Sequence, residues 1–398
     1  MQSTTIGSNQ AGQRLDKFLH KYLPNAGTGF LYKMLRKKNI TLNGRKAEGS
    51  EKLKEGDLVS FFFSPETFEK FSGLSMEQAE IRPAVPDHFS NDFENADAST
   101  ETFGNLSAAP KRRSDAFIKS EHDGMWAVRC SEYQKAYRLL KGVQVIYEDE
   151  HFLFLDKPAG ILTQKAKPED SSLNEWLIGY LLQKDPGLAA ELRTFHPSVC
   201  NRLDRNTSGI VLCGKSLTGL QFLSQCIRER KVRKFYHTIC AGELREAGQI
   251  RGYLSKDEKT NRVSVAKQCK PQAGSKSSFG QKQDYIETRY TPLGIKNGYT
   301  YLEVELITGK PHQIRAHLAS MGHPLVGDFK YGKDKINRWW KQEYGLSYQL
   351  LHAYRVVFPK ITDGAGVSLS GREFLAPEPG EFAAVRAALH FPKRGGAI

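Results

Sequence analysis

The sequence predicts an α+β protein with two folded regions of unequal size, separated by an acidic tether. Three observations carry this. Apolar residues recur at helical spacing in some stretches and alternate or run continuously in others, so neither an all-helical nor an all-strand chain fits. Charge is uneven: residues 1–63 carry a net +6, residues 64–110 a net −7, and the remainder +15 of the total +14. Apolar periodicity also fades between Ser64 and Pro110, where Pro65, Pro83, Pro86 and Pro110 interrupt any helix. With 398 residues the chain has room for two or three domains with substantial cores.

The excess of 58 Lys+Arg over 44 Asp+Glu points to a polyanionic partner. Nucleic acid fits better than a membrane, because the two basic regions are also the two that look folded. Six cysteines lie scattered without a Cys-x-x-Cys pair, and the polar N-terminus shows no secretory signal. Reduced thiols in a cytoplasmic protein are expected. The longest apolar run, Trp176 to Leu182, is far too short to span a bilayer.

In the first region, Leu15, Phe18, Leu19, Tyr22 and Leu23 form a helical stripe that stops at Pro24. A second helix over about Phe30 to Lys38 places Leu31, Met34 and Leu35 on one side and gathers Lys33, Arg36, Lys37 and Lys38 on the other. Ile40 to Leu42 reads as a strand entering an Asn43-Gly44 hairpin turn, and Leu58 to Phe63 as another strand. A helix edge this basic can grip phosphates without reading sequence. The tether, residues 64–130, ends in the basic run Lys111-Arg112-Arg113, and Tyr133, Ala136, Tyr137 and Leu140 predict a helix leading into the second region, residues 131–398.

There, Val145-Ile146-Tyr147 and Phe152 to Leu155 read as strands, the second followed by a turn at Asp156-Lys157-Pro158-Ala159-Gly160. Ser172 to Glu175 has the form of a capping box before an apolar helix face containing Leu173, Trp176, Leu177, Tyr180 and Leu181. Asn201 to Gly209 then sets Asp204 between Arg202 and Arg205, in a turn-rich loop that runs into Ile210-Val211-Leu212. Such a loop can hold a charged group at the mouth of a sheet, although a lone Asp also reads as an ordinary turn acceptor.

Ser216 can cap a helix through about Arg230, which leads into a strand where Tyr236, Thr238 and Cys240 share one face and Phe235, His237 and Ile239 the other. Leu302, Val304 and Leu306 alternate into the turn Gly309-Lys310-Pro311, after which a helix of about three turns is expected, with Pro311 at its first position and Gly322 at its end. His312 and His317 lie five apart with no acidic residue between them, which is not the spacing of two zinc ligands on one helical face. No metal is expected. Beyond Pro359 only strand and loop material is predicted, with a basic tail at Lys393-Arg394.

Three of these blocks resemble the RluA-type pseudouridine synthases. The loop from Asn201 to Gly209 resembles their His-Arg-Leu-Asp-x-x-Thr-Ser-Gly signature, with Asn201 in the place of His. Glu148-Asp149 to Gly160 resembles a Glu-Asp, strand, Asn-Lys-Pro-x-Gly block, and Thr308 to His317 resembles Thr-Gly-Arg-x-His-Gln-Ile-Arg-x-His, with Lys310 in the place of Arg. Arg233 to Tyr236 is similar to a Lys-x-Tyr block, and Gly327-Asp328, Tyr331-Gly332 and Leu351-His352-Ala353 continue the likeness. Residues 12–63, with Arg14-Leu15-Asp16 and Glu55-Gly56-Asp57, resemble the S4 RNA-binding domain.

The resemblance implies a small S4-like domain and a mixed α/β catalytic domain on a mainly antiparallel sheet. It further implies that Asp204 is the catalytic aspartate, that Tyr236 stacks on the target uracil, and that Lys310 pairs with Asp204. Arg202, Thr207, His312, Gln313 and Arg315 are the expected substrate-binding residues, and Lys33, Arg36, Lys37 and Lys38 the RNA-binding edge. The implied substrate is RNA, with large-subunit ribosomal RNA favoured over transfer RNA, and the protein is expected to act as a monomer.

Isomerising uridine moves ribose C1′ from uracil N1 to C5 without redox change or group transfer, so no cofactor is expected. It requires an ionised carboxylate at the sugar, acting as a nucleophile on C1′ or as the base leading to a glycal, and a cation that keeps it charged. A non-catalytic RNA-binding assembly factor and a hydrolytic glycosylase are the alternatives; neither accounts for the Tyr236 and Lys310 blocks accompanying Asp204.

Overall fold

The computed structural model describes residues 2–72, 130–192, 194–256, 262–266 and 284–392. They belong to two compact units, residues 1–131 and 132–398. Most of the acidic segment, Lys111-Arg112-Arg113 and the tail at Lys393-Arg394 lie outside the described residues.

In the first unit, strands β1 (Gln2–Thr5), β2 (Ile40–Leu42), β3 (Arg45–Lys46) and β4 (Leu58–Phe61) form an antiparallel sheet in the order β1-β4-β2-β3. Asn43 and Gly44 join β2 to β3 with φ of 52° and 72°, the doubly left-handed turn whose twist suits a two-residue hairpin. Helices α1 (Leu15–Tyr22) and α2 (Thr28–Arg36) bury Leu15, Leu19, Leu31 and Leu35 against Ile40, Val59 and Phe61. The opposite side leaves Lys33, Arg36, Lys37 and Lys38 exposed. Folded structure continues past residue 63: Pro65, expected to interrupt helix, begins α3 (Pro65–Ser72), where its missing N–H costs nothing, and Phe68 of this helix is buried in the same core.

The second unit is built on one large mixed sheet. Its strands are β5 (Gln144–Glu148), β6 (Phe152–Lys157), β7 (Ser198–Val199), β8 (Ser208–Gly214), β9 (Arg233–Ala241), β10 (Gly248–Lys256), β11 (Val263–Ala266), β12 (Asp284–Lys296), β13 (Tyr299–Leu306), β14 (Leu351–Val357) and β15 (Glu373–Leu375). They run in the order β11-β10-β12-β13-β9-β14-β8-β6-β5, with β7 beside β8 and β15 beside β14. Every pairing among these strands is antiparallel except β8 with β14.

The continuous apolar runs follow from two-sided burial. In β6 and β8, Leu153, Leu155, Val211 and Cys213 enter one core, while Phe152, Phe154, Ile210 and Leu212 enter the other. Helix α4 (Leu173–Lys184) closes the first core with Leu173, Trp176, Leu177 and Leu181, and a short α5 (Leu188–Glu191) follows. Helix α6 (Leu217–Arg228) closes the second with Leu223 and Cys226, and Ser216 caps it by accepting from Gly219 N at 3.0 Å.

Several local expectations are corrected. The expected capping box at α4 is not formed: the Ser172 hydroxyl donates to Glu175 Oε2 at 2.5 Å instead of accepting from the helix backbone. Strand β6 continues through Asp156 and Lys157 because Asp156 pairs with Ile210 and Lys157 with Gly209. Helix α7 (Gln313–Ser320) starts after His312, whose φ of 56° is left-handed, so Pro311 stands outside the helix. Helices α8 (Asp334–Tyr344) and α9 (Gly380–Ala388) were not predicted; they bury Trp340, Phe382 and Val385.

Candidate active site

Three sequence blocks meet at the loop that precedes β8. Asn201 acts as a strand surrogate, its Oδ1 accepting from Leu212 N at 2.7 Å and its Nδ2 donating to Ile210 O at 3.4 Å. Leu203 is buried, and Thr163 Oγ1 donates to its carbonyl at 2.8 Å. From there the chain turns through Arg205 and Asn206, closed by Thr207 N donating to Asp204 O at 3.0 Å. Asp204 thus stands at the turn's start while its neighbours are anchored in the core.

The turn is held from beneath. Lys157 is fully buried, and its ammonium donates to the carbonyls of Pro158, Ile161 and Arg205 at 3.0, 2.9 and 3.1 Å. Burial pushes the pKa of this lysine down to about 7, against the carboxylates of Asp204 and Asp156, which favour the charged form. Gly160 N also donates to Arg205 O, at 2.9 Å. On the far side Gln349 Nε2 donates to Thr207 Oγ1 at 3.2 Å, and the Ser208 hydroxyl lies 2.9 Å from His352 Nδ1. Thr207 is therefore buried and used within the loop, not turned to a substrate.

The cation on Asp204 is Arg315. Its Nη1 donates to Asp204 Oδ2 at 2.9 Å, while Nε and Nη2 donate to the two oxygens of Asp328 at 2.7 and 2.9 Å. One guanidinium fork thus holds two carboxylates, a geometry that an ammonium does not offer. Arg315 is buried; burial opposes its charge, but Asp328 and Asp204 outweigh that and raise its pKa. Asp328 has no solvent exposure; burial disfavours its charge, yet Arg315 and the N–H groups of Lys330 and Tyr331 hold its pKa below the usual carboxylate range.

The expected Lys310 pairing is corrected. Lys310 Nζ lies 2.8 Å from Asp284 Oδ1, on a partly exposed edge, because the turn before α7 carries it toward the start of β12. Arg315, in the first turn of the helix, reaches inward instead. Gln313 is also corrected: it is buried, accepting from Thr308 Oγ1 and Lys310 N and donating to Glu287 O and Thr288 Oγ1, so it staples the turn to β12. His317 Nδ1 is taken up by Thr288 Oγ1 at 2.8 Å, and burial lowers its pKa to about 4. Among the described residues no group of three His, Cys, Asp or Glu side chains is arranged to hold a metal.

His312 does face the site. Its Nε2 lies 3.9 Å from Asp204 Oδ2 and its Nδ1 2.9 Å from the Tyr331 hydroxyl. Burial lowers its pKa, with Asp204 opposing that shift. Tyr236 is buried on the same core face as Val304 and Leu203, and burial together with the Asp204 charge raises its pKa, which keeps the phenol neutral. Arg202 is exposed beside the loop.

Above these groups opens a pocket of about 620 Å³ lined by Asp204, Arg205, Arg262, His312, Phe329 and Lys330, among others. Sequence reasoning names Arg205 only as a neighbour of Asp204 and does not reach Arg262, Phe329, Lys330 or Gln349. Gly327-Asp328 and Tyr331-Gly332 were recognised as a block, and this was the signal that the segment between them mattered. In chemical terms the site offers a carboxylate bound by Arg315 in a basic cleft, a buried neutral phenol behind it, and space for a planar base.

Residues 151–320 match the model of the RNA pseudouridylate synthase family. The ribosomal large subunit pseudouridine synthase C of Vibrio parahaemolyticus is 27% identical over 359 residues, spanning 90% of this chain and 88% of its own. An uncharacterized RNA pseudouridine synthase of Mycoplasma genitalium is 27% identical over 363 residues, 89% of this chain and 88% of its own. Among solved structures, human RNA pseudouridylate synthase domain containing 4 aligns with a TM-score of 0.49 at 20% identity, covering 67% of this chain and 99% of that one.

Proposed function

We propose that the chain belongs to the RNA pseudouridylate synthase family and isomerises uridine in large-subunit ribosomal RNA with Asp204 as its catalytic carboxylate. The observation that carries the assignment is the 2.9 Å bond from the buried Arg315 guanidinium to Asp204 inside a basic pocket. The pairing holds the carboxylate without filling it: only Oδ2 receives Arg315, and the group remains partly open to the pocket. The ribosomal target is suggested by the name that the Vibrio relative carries.

In the reaction the N1–C1′ bond breaks, the uracil turns, and C5 bonds to C1′; the C5 proton is lost and N1 gains one. Asp204 acts at the ribose. To Tyr236, neutral and buried against the core behind the residues that line the pocket, we assign the support of the uracil and proton handling at C5. His312 and Tyr331 position the floor of the pocket, and Arg205, Arg262 and Lys330 supply charge for backbone phosphates. The target nucleotide must leave its stack to reach Asp204. We assign the first unit as an S4-like RNA-binding domain that grips phosphates through Lys33, Arg36, Lys37 and Lys38, joined by the acidic segment as a linker; the exposure of these four side chains supports the reading.

Tritium release from ribosomal transcripts labelled at uridine C5 tests the assignment. Wild-type protein is expected to release tritium and to leave pseudouridine in the chain, with Asp204→Asn slower by roughly 10³-fold or more. Free uracil in solution would establish a glycosylase instead.

A further inference from the structure

We propose that Phe329 is a stacking post for an RNA base adjacent to the target uridine, a role that rests on the synthase reading above. Phe329 is 44% exposed although it lines the pocket that contains Asp204. A single exposed apolar side chain needs no explanation. An aromatic ring held open at the mouth of a basic cleft that must receive an extruded nucleotide is a different case.

The backbone around Phe329 is fixed on both sides. Asp328 Oδ1 accepts from Lys330 N at 2.9 Å and Tyr331 N at 3.1 Å, and Asp328 O accepts from Gly332 N and Asn337 Nδ2, each at 2.8 Å. Gly327 N donates to Asn337 Oδ1 at 2.9 Å, so α8 clamps the start of the same turn. The side chain of Asp328 is bound by the Arg315 fork that also binds Asp204. The ring and the carboxylate are therefore registered to each other through one guanidinium.

Extrusion of a uridine uncovers the faces of its neighbours in the strand, and an aromatic ring at the pocket mouth re-covers one of them. Stacking is tolerant of base identity, whereas Arg205, Arg262 and Lys330 around the ring meet the phosphates. Phe329 thereby sets the position of the strand, and so of the target, relative to Asp204.

The test compares Phe329→Ala, Phe329→Leu and Phe329→Trp in two assays. In an Asp204→Asn background, binding of a fluorescein-labelled oligouridylate of about a dozen nucleotides, long enough to cross such a cleft, is read by anisotropy. Alanine and leucine are expected to weaken it about tenfold, while tryptophan retains it. In the wild-type background, kcat/KM for tritium release should fall in the same order, with thermal midpoints unchanged. Leucine preserves apolar volume without a stacking face, so full affinity in Phe329→Leu would overturn the proposal, as would an unaffected Phe329→Ala. Absence of tritium release by the wild type overturns the synthase reading on which the role depends; release that is indifferent to residue 329 overturns the stacking alone.

Discussion

Arg315 reaches Asp204 and Asp328 with one guanidinium, and this division fixes what each neighbouring cation can do. Arg315→Lys keeps a charge but cannot serve both carboxylates, so kcat should fall roughly 100-fold through misplacement of Asp204. The thermal midpoint should drop by several degrees as the buried Asp328 loses its fork. Lys310→Gln removes a partly exposed pair with Asp284, and single-turnover rates should stay within about threefold of wild type. Parallel rate and melting measurements on the two variants separate these roles; a collapse in Lys310→Gln with an indifferent Arg315→Lys would return Lys310 to the site. That Asp204 stands in a loop ahead of a strand and Tyr236 on a strand was legible in the sequence. The choice of cation was not, because Lys310 and Arg315 stand on opposite sides of a turn whose direction depends on the left-handed His312 and on Gln313 stapling to β12.

At the scale of elements, the Asp204 loop depends on how closely β8 approaches β14. Gly209 has a φ of +111°, and a Cβ there would sit 2.3 Å from Ala353 O. The β14 register against β9 also shifts between His352 and Arg355, which places the irregularity beside Tyr236. Gly209→Ala should therefore destabilise the unit by roughly 2 kcal/mol or more in denaturant unfolding, from strain and displaced backbone together. An unchanged midpoint would show that the strands separate freely. A continuous apolar run made β8 after Asp204 readable, and period two sorted the faces of the strand that carries Tyr236. Helix α8 escaped because its buried positions include Asn337, a polar residue explained only by Gly327 and Asp328 across the turn, and α9 because Pro377, Pro379 and Gly380 read as loop. Ser172 likewise matched a capping motif whose geometry another partner, Glu175, claimed.

For the whole molecule, the first compact unit keeps Lys33 and Arg36 of α2, with Lys37 and Lys38 just after it, in solvent while the apolar stripe of the same helix is buried. Among the described residues no helix is long and apolar enough to cross a membrane. The mainly antiparallel sheet was foreseeable; its one parallel contact, β8 with β14, joins segments more than a hundred residues apart, and no local pattern announces it. That contact is also what brings the Asp204 loop to β14, where His352 and, just before the strand, Gln349 hold it. The most direct test of Asp204 as the carboxylate of a ribosomal RNA synthase is quantitative mapping of pseudouridine across ribosomal and transfer RNAs. The comparison is between cells with the intact gene, without it, and with Asp204→Asn at normal protein abundance. The expected result is a defined set of large-subunit ribosomal sites lost in both altered strains and unchanged elsewhere. Retention of those sites in the Asp204→Asn strain, with their loss in the deletion, would contradict the role given to Asp204.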